Sequence, residues 1–131
     1  MKINRALRIT LLSSALALSA CATKDTVTPV PSGASLMNAR EVTALLSRPV
    51  VFDNAIRGGL RYEFKPDGEA KYSMRMLPVK KPGRWKLDGD RLCIKVEGDP
   101  WDCGDFYQIS ATRYYFNLRG YDSDYNTLEL K

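Results

Sequence analysis

Short segments in which apolar and polar residues alternate follow one another between residues 50 and 130, with a tight turn after each. In residues 60–65 every second residue is apolar, and residues 70–76 repeat the pattern after a Lys-Pro-Asp-Gly turn. A period of two is that of a β-strand with one buried face. By the same criterion we predict strands at residues 50–52, 83–87, 92–96, 101–109, 114–118 and 128–130.

Turns at this regular spacing are typical of all-β sandwiches and barrels. Because each predicted strand is joined to the next by a hairpin, and because closure removes exposed edges, we expect an antiparallel up-and-down barrel of seven or eight strands. One short N-terminal helix precedes it. Asn38 and Glu41 can form its capping box, Met37 and Val42 its hydrophobic staple, and it ends before Pro49. The predicted fold is therefore mainly β.

The first twenty residues have the composition of an export signal. Lys2, Arg5 and Arg8 make the start basic, and residues 9–20 form an apolar run interrupted only by Thr and Ser. This run is shorter than the about 20 apolar residues that a permanent membrane helix requires. We therefore predict a secretory signal peptide over residues 1–20.

The signal ends in Leu18-Ser-Ala-Cys21, which resembles the lipobox of bacterial lipoproteins. The resemblance implies cleavage before Cys21 and attachment of lipid, including palmitate, at its sulfur. Ala22 stands where enteric lipoproteins of the inner membrane carry Asp, which implies the outer membrane. Residues 21–35 are then a flexible tether, and residues 36–131 a domain on the periplasmic side. The alternative is an ordinary signal peptide whose cleavage site happens to precede a cysteine.

Two cysteines, Cys93 and Cys103, remain once Cys21 is assigned to lipid. They lie across a predicted hairpin from each other, and an even number of remaining cysteines in an oxidising compartment indicates a disulfide. Two free thiols or half of a metal site are the alternatives, but the sequence offers no further ligands for a metal.

Histidine is absent from the chain, which excludes nucleophilic catalysis by a Ser-His-Asp or Cys-His arrangement. Four acidic residues surround the predicted hairpin at 97–105, where carboxylates are usually solvated, so a hydrolase built on this hairpin is a distant alternative. Residues 122–126 begin like a calcium loop, but Thr127 stands where that loop needs glycine. We predict no catalytic residue, no metal site and no cofactor.

The formal net charge of +5 falls to +2 when the three basic residues of the signal are removed. This balance gives no indication of nucleic-acid binding. Lys80, Lys81 and Arg84 lie in a basic run, residues 71–86, whereas residues 97–105 are acidic. Such a layout suits contact with an envelope protein or with anionic lipopolysaccharide, or it is simply the solvated face of a small barrel.

Four aromatic residues on the predicted strands, Tyr62, Tyr72, Trp85 and Tyr114, are expected to point inward. In a wide barrel they would line a cavity for an apolar ligand. In a narrow barrel they would fill the interior themselves.

The order of several short motifs resembles a family of small exported proteobacterial proteins, described as lipocalin-like or avidin-like barrels and largely without known function. The motifs are Glu41, Leu45-Leu46, Tyr62, Asp67-Gly68, Gly83-Arg84-Trp85, Leu92-Cys93 and Cys103. The resemblance supports the fold and the compartment and implies no catalytic residues.

Together these features predict an outer-membrane-anchored periplasmic lipoprotein that acts by binding and without catalysis. Its partner would be an envelope protein, or a hydrolase that it inhibits. The alternative is a carrier of a small apolar ligand inside the barrel.

Overall fold

A computed structural model describes residues 29–56, 58–77 and 79–131. The predicted signal peptide, Cys21 and the first part of the predicted tether lie outside the described residues. The elements are β1 (Ser35–Leu36), α1 (Ala39–Leu45), β2 (Val50–Asn54), β3 (Leu60–Phe64), β4 (Glu69–Met74), β5 (Lys80–Asp88), β6 (Arg91–Val96), β7 (Asp102–Gly104), β8 (Phe106–Gln108), β9 (Arg113–Phe116), α2 (Ser123–Asn126) and β10 (Thr127–Leu130).

All ten described strands belong to one antiparallel sheet that curls into a half-barrel. Strands β2 to β7 follow one another as a meander, and β8 to β10 continue on the other side, where β10 pairs with β2. Strands β1 and β7 are the two ends of the strand order. The predicted mainly β, antiparallel class is confirmed.

The predicted number of seven or eight strands is wrong, because the described residues form ten. The predicted strand at 101–109 is divided at Asp105: β7 pairs with β6, whereas β8 pairs with β9. The Asp105 carbonyl accepts a hydrogen bond from the Asn117 amide at the point where the chain changes partner. The tenth strand is β1, where Ser35 pairs with Gln108.

The predicted number of helices is also too low, because the described residues form a second helix, α2, after β9. Asp122 caps this short helix by accepting a hydrogen bond from the Tyr125 amide at 2.8 Å. The capping box predicted for α1 is confirmed, because Asn38 accepts from the Glu41 amide and Glu41 accepts from the Asn38 amide. Val42 lies on the buried side of α1 and belongs to the core.

The core is dominated by aromatic side chains from several strands. Phe52 of β2 is fully buried, and its ring meets Phe64, Phe106 and Tyr114 edge-on at centroid distances of 6.0, 6.2 and 5.5 Å. Such edge-to-face pairs stabilise a core beyond the burial of apolar area. These four rings join β2, β3, β8 and β9 into one packed unit.

The hairpin predicted for residues 60–76 forms with the expected pairing, in which Tyr62 faces Tyr72 and Leu60 faces Met74. It is shorter than predicted. Strand β4 ends at Met74, where the carbonyl accepts a turn hydrogen bond from the Leu77 amide. The expectation that Met76 points inward is therefore wrong, and this side chain is 78% exposed.

A glycine makes room for one of the inward-pointing tyrosines. A Cβ atom added at Gly83 of β5 would lie within 2.3 Å of the Tyr72 ring and 2.2 Å of the Lys95 carbonyl oxygen. No side chain fits at that distance, so glycine at this position allows β5 to pass directly over the ring.

Cys93 and Cys103 face each other across β6 and β7, and their sulfur atoms are at bonding distance, as the predicted disulfide requires. The two cysteines are ten positions apart in the sequence, so the bond closes a short loop. By restricting the unfolded chain, a cross-link that closes a loop of this length raises the free energy of unfolding by about 2–3 kcal/mol.

We predict that Cys93→Ala/Cys103→Ala lowers the free energy of unfolding by about 2–3 kcal/mol. Denaturant unfolding followed by tryptophan fluorescence measures the loss. A reductant should lower the stability of the parent protein by a similar amount and leave the double variant unchanged. Equal sensitivity of both proteins to the reductant would contradict the assignment.

Candidate functional site

A pocket opens at one end of the curled sheet, and we call it the mouth pocket. It consists of two adjoining cavities of about 430 and 490 Å³. The first is lined mainly by apolar groups and the second by aromatic and acidic ones. Both are lined by Ile94, Val96, Asp99 and Tyr125; the first adds Leu60, Tyr62, Tyr72, Ser73, Met74, Leu77, Val79 and Lys81, and the second adds Pro100, Trp101, Asp102, Leu118 and Tyr121.

The mouth pocket lies at the opposite end of the sheet from α1. The amide of Ala39 at the start of α1 donates a hydrogen bond of 2.8 Å to Asp90, in the turn before β6. Strand β6 then runs away from α1, and its last residues, Ile94 and Val96, reach the pocket wall. The helix therefore covers one end of the interior and leaves the other open.

Exposed apolar side chains gather around this opening. Of the seven large hydrophobic side chains that are exposed among the described residues, five line the two cavities, namely Met74, Leu77, Val79, Trp101 and Tyr121. Met76 lies in the same loop as Leu77, and Leu36 is the exception. The loop that follows β4 carries three of the seven, Met76, Leu77 and Val79, and of these Leu77 is 56% and Val79 61% exposed. A concentrated exposed apolar patch marks an interaction site far better than scattered single residues do.

The pocket also contains a small polar network. The phenol of Tyr125 lies close enough to those of Tyr62 and Tyr121 for these neighbours to influence its pKa, and the rings of Tyr121 and Tyr125 are stacked. Burial raises the pKa of Tyr62 well above its usual value and raises that of Tyr125 as well. Burial also raises the pKa of the Asp102 carboxyl, and the positive charge of Arg91 opposes that rise. Because their pKa values are raised, the phenols of Tyr62 and Tyr125 stay neutral near pH 7 and can take part in hydrogen bonds.

Of the four aromatic residues predicted to line a cavity, the structure brings two to the pocket. Tyr62 and Tyr72 form part of its floor and are themselves almost fully buried. Tyr114 lies in the packed core against Phe106, away from both cavities. Trp85 is also absent from the walls, and its indole nitrogen donates a hydrogen bond of 2.6 Å to the Lys65 carbonyl.

The three basic residues predicted to bind a partner do not share one site. Lys80 and Arg84 line a separate groove of about 460 Å³ along β2 to β5, which we call the outer groove. Lys80 is paired there with Glu63 at 3.2 Å. Lys81 points to the other side and lines the mouth pocket.

The acidic hairpin at 97–105 is divided in a similar way. Asp99 and Asp102 line the mouth pocket, whereas Glu97 and Asp105 line neither of its two cavities. Among residues 29–56, 58–77 and 79–131, no group of three or more acidic or cysteine side chains is arranged to hold a metal ion.

One charged cluster was not anticipated from the sequence. Asp53 of β2 is only 4% exposed, and its carboxylate accepts hydrogen bonds from Arg61 at 2.7 and 3.0 Å. Arg75 and Lys131 lie 3.8 and 3.9 Å from the same carboxylate. The hydrogen bond from Arg61 is the main reason that the pKa of Asp53 is lowered. The cluster ties β2 to β3, to the end of the chain and to the loop beside the pocket.

Comparisons of the chain with protein-family models, with curated proteins and with solved structures gave no match. The resemblance to small exported barrel proteins therefore stays a prediction. In the part of the chain that the structure describes, no helix has the length and apolar character needed to cross a membrane.

We predict that Asp53→Asn lowers the free energy of unfolding at neutral pH by roughly 1–3 kcal/mol, because it removes a buried, hydrogen-bonded carboxylate. The pKa of Asp53 is lowered in the folded protein, so its stabilisation is complete above the ordinary value of 3.8 and is lost as the pH falls below it. The stability difference between parent and variant should therefore shrink in acid. Urea unfolding over a pH series measures it.

Glu69→Gln is the matched control. Glu69 pairs with Lys65 at 3.5 Å, but both side chains are more than half exposed. Such a surface pair contributes at most about 1 kcal/mol. An Asp53 variant no less stable than this control, or a difference that persists unchanged in acid, would contradict the role given to the cluster.

Proposed function

We propose that this protein is a non-catalytic binding protein that takes a small apolar ligand into the mouth pocket. The observation that carries the proposal is the coincidence of a cavity with a rim of exposed apolar side chains. Leu77 and Val79 are exposed to water on this rim and line the cavity at the same time. Burying such side chains against an apolar ligand is favourable by about 25 cal/mol per Å² of apolar surface.

The size and composition of the cavity support the same proposal. Pockets for small organic ligands usually measure about 300–1,000 Å³ and combine apolar walls with a few polar groups. The first cavity, of about 430 Å³, lies in this range. Tyr62 and Tyr72, both almost fully buried, line it together with Tyr125.

A protein partner is the second candidate, and the outer groove favours it. Lys65 and Lys80 are paired with acidic neighbours there, whereas Lys71 and Arg84 have no ion pair among the described residues. The groove therefore carries an excess of positive charge. Positive charge there is complementary to an acidic protein surface or to anionic lipopolysaccharide. The protein partner would be an envelope protein, or a hydrolase that this protein inhibits.

We propose that the protein performs this task as an outer-membrane lipoprotein with its domain on the periplasmic side. The sequence motif ending at Cys21 supports the anchor, and the juxtaposed Cys93 and Cys103 suit an oxidising compartment. A carrier or binding module needs no catalytic group, in keeping with the absence of histidine from the chain.

Ligand binding is tested with the neutral fluorophore N-phenylnaphthylamine, whose emission rises in an apolar site. The full chain with Cys21→Ser removes the predicted lipid attachment and allows measurement without detergent. We expect saturable binding, and we expect Leu77→Asp/Val79→Asp to weaken it by about tenfold because the apolar rim is lost.

Leu36→Asp is the matched control. Leu36 is 57% exposed, as Leu77 is at 56%, but it lies on β1 away from both cavities. It should leave the affinity unchanged. No saturable binding, or equal losses in the rim variant and this control, would refute ligand binding in the mouth pocket.

The anchor is tested by the intact mass of the native protein. We expect residues 1–20 to be absent and the mass to include a diacylglycerol and a further acyl chain at Cys21. Cys21→Ser should lack both additions, since the sulfur to which the lipid is attached is gone. A full-length, unacylated native chain would contradict the proposal.

A further inference from the structure

The second cavity of the mouth pocket combines aromatic rings with carboxylates. Trp101, Tyr121 and Tyr125 contribute the rings, and Asp99 and Asp102 contribute the acids. The faces of aromatic rings attract organic cations, and a carboxylate beside them adds a direct charge partner. The first cavity shares Asp99 and Tyr125 with the second, but most of its lining is apolar and it also includes Lys81.

The rings of the second cavity offer a limited number of faces to a cation, because two of them are stacked on each other. Tyr121 and Tyr125 are stacked with their centroids 4.0 Å apart and their planes within 12°. Trp101 already accepts a cation from the chain itself, because the ammonium of Lys86 lies 4.3 Å from the centroid of its ring. This face of the Trp101 ring is therefore occupied by Lys86, and a ligand cation would meet the other face or displace the ammonium of Lys86.

The carboxylate of Asp102 is incompletely compensated. It is half-buried, and no described residue donates a hydrogen bond to it. The nearby Arg91 directs its guanidinium to the Cys103 carbonyl at 2.9 Å instead. The raised pKa of Asp102, caused by burial, agrees with this geometry. A cationic group beside Asp102 would supply the partner that the protein does not.

We propose that the natural ligand of the mouth pocket is an amphiphilic organic amine, whose apolar part occupies the first cavity and whose cation lies among Trp101, Tyr125 and Asp102. This inference rests on the proposed ligand binding in the same pocket and adds the class of ligand. The two cavities share Ile94, Val96, Asp99 and Tyr125, so one molecule spans both. An anionic head group would meet two carboxylates there, and Lys81 is the only basic residue among the described residues that line the two cavities.

The test compares three dodecyl compounds at pH 8, below their micelle-forming concentrations, as competitors of N-phenylnaphthylamine on the full chain with Cys21→Ser. Dodecyltrimethylammonium carries a positive charge, dodecyldimethylamine N-oxide has a head group of similar size without net charge, and dodecanoate is anionic. We expect the cation to bind about tenfold more tightly than the N-oxide, as cation–π and charge pairing at a partly buried site predict.

Asp102→Asn and Asp99→Asn should each reduce the preference for the cation several-fold while leaving the affinity for the N-oxide unchanged. Asp88→Asn is the matched control, because it makes the same change in charge at an exposed position of β5 that lines neither cavity. Thermal unfolding of each variant verifies that it is folded.

The outcomes separate the two proposals. Tighter binding of the cation that depends on Asp102 supports the inference. Equal affinities for all three compounds, or a preference for dodecanoate, would overturn it and leave apolar ligand binding intact. Failure of every compound to displace the bound fluorophore would overturn this inference alone, whereas absence of fluorophore binding itself would overturn both proposals.

Discussion

The packing of aromatic rings around Phe52 is the constraint on which the rest of the molecule depends. The strands are short, so a curled sheet of this size encloses little space, and Phe52 with Phe64, Phe106 and Tyr114 occupies the middle of it. Helix α1 fills the end beyond these rings with Val42. Among the described residues, the mouth pocket opens beyond these rings, toward the other end of β6.

A filled core and a cavity, which appear as alternatives in the sequence, are consequently both present, in neighbouring layers of the fold. Tyr114 belongs entirely to the packed layer. Tyr62 and Tyr72 belong to both, because their rings meet edge-on at 5.4 Å while they also form the floor of the first cavity. A ligand in the pocket would therefore rest on rings whose positions the core already fixes, which reduces the entropy lost on binding.

The parts of the fold that could be predicted are those encoded locally. The alternation in residues 60–65, the capping box at Asn38 and the facing pair of Cys93 and Cys103 each depend on a few adjacent residues or one hairpin. The division of the predicted strand at Asp105 depends on which neighbour each half meets, and this is not encoded in the alternation. Met76 was misplaced because its spacing continues the strand pattern after the chain has turned away.

The site was harder to predict because its residues converge from distant segments. Asp102 is visible in the sequence only as part of an acidic hairpin, and Tyr125 only as part of an Asp-rich turn. Nothing local indicates that α2 brings Tyr125 to Tyr62. Asp53 gave no signal either, since a polar residue at an outward position of a strand is ordinarily solvated. Its burial arises from Arg61 and from a loop and a chain end far apart in sequence.

The disulfide and the charged cluster at Asp53 stabilise opposite walls of the mouth pocket. The disulfide joins Cys93 to Cys103, directly beside the pair of Ile94 and Asp102 that lines the pocket. On the other side, Arg75 donates hydrogen bonds to the carbonyls of Asn54 and Ile56 and lies near the Asp53 carboxylate. Arg75 directly follows Met74, so these contacts hold the start of the apolar rim. A pocket formed by short strands and loops is thus fixed where packing alone is weakest, which is the requirement for a preorganised binding site.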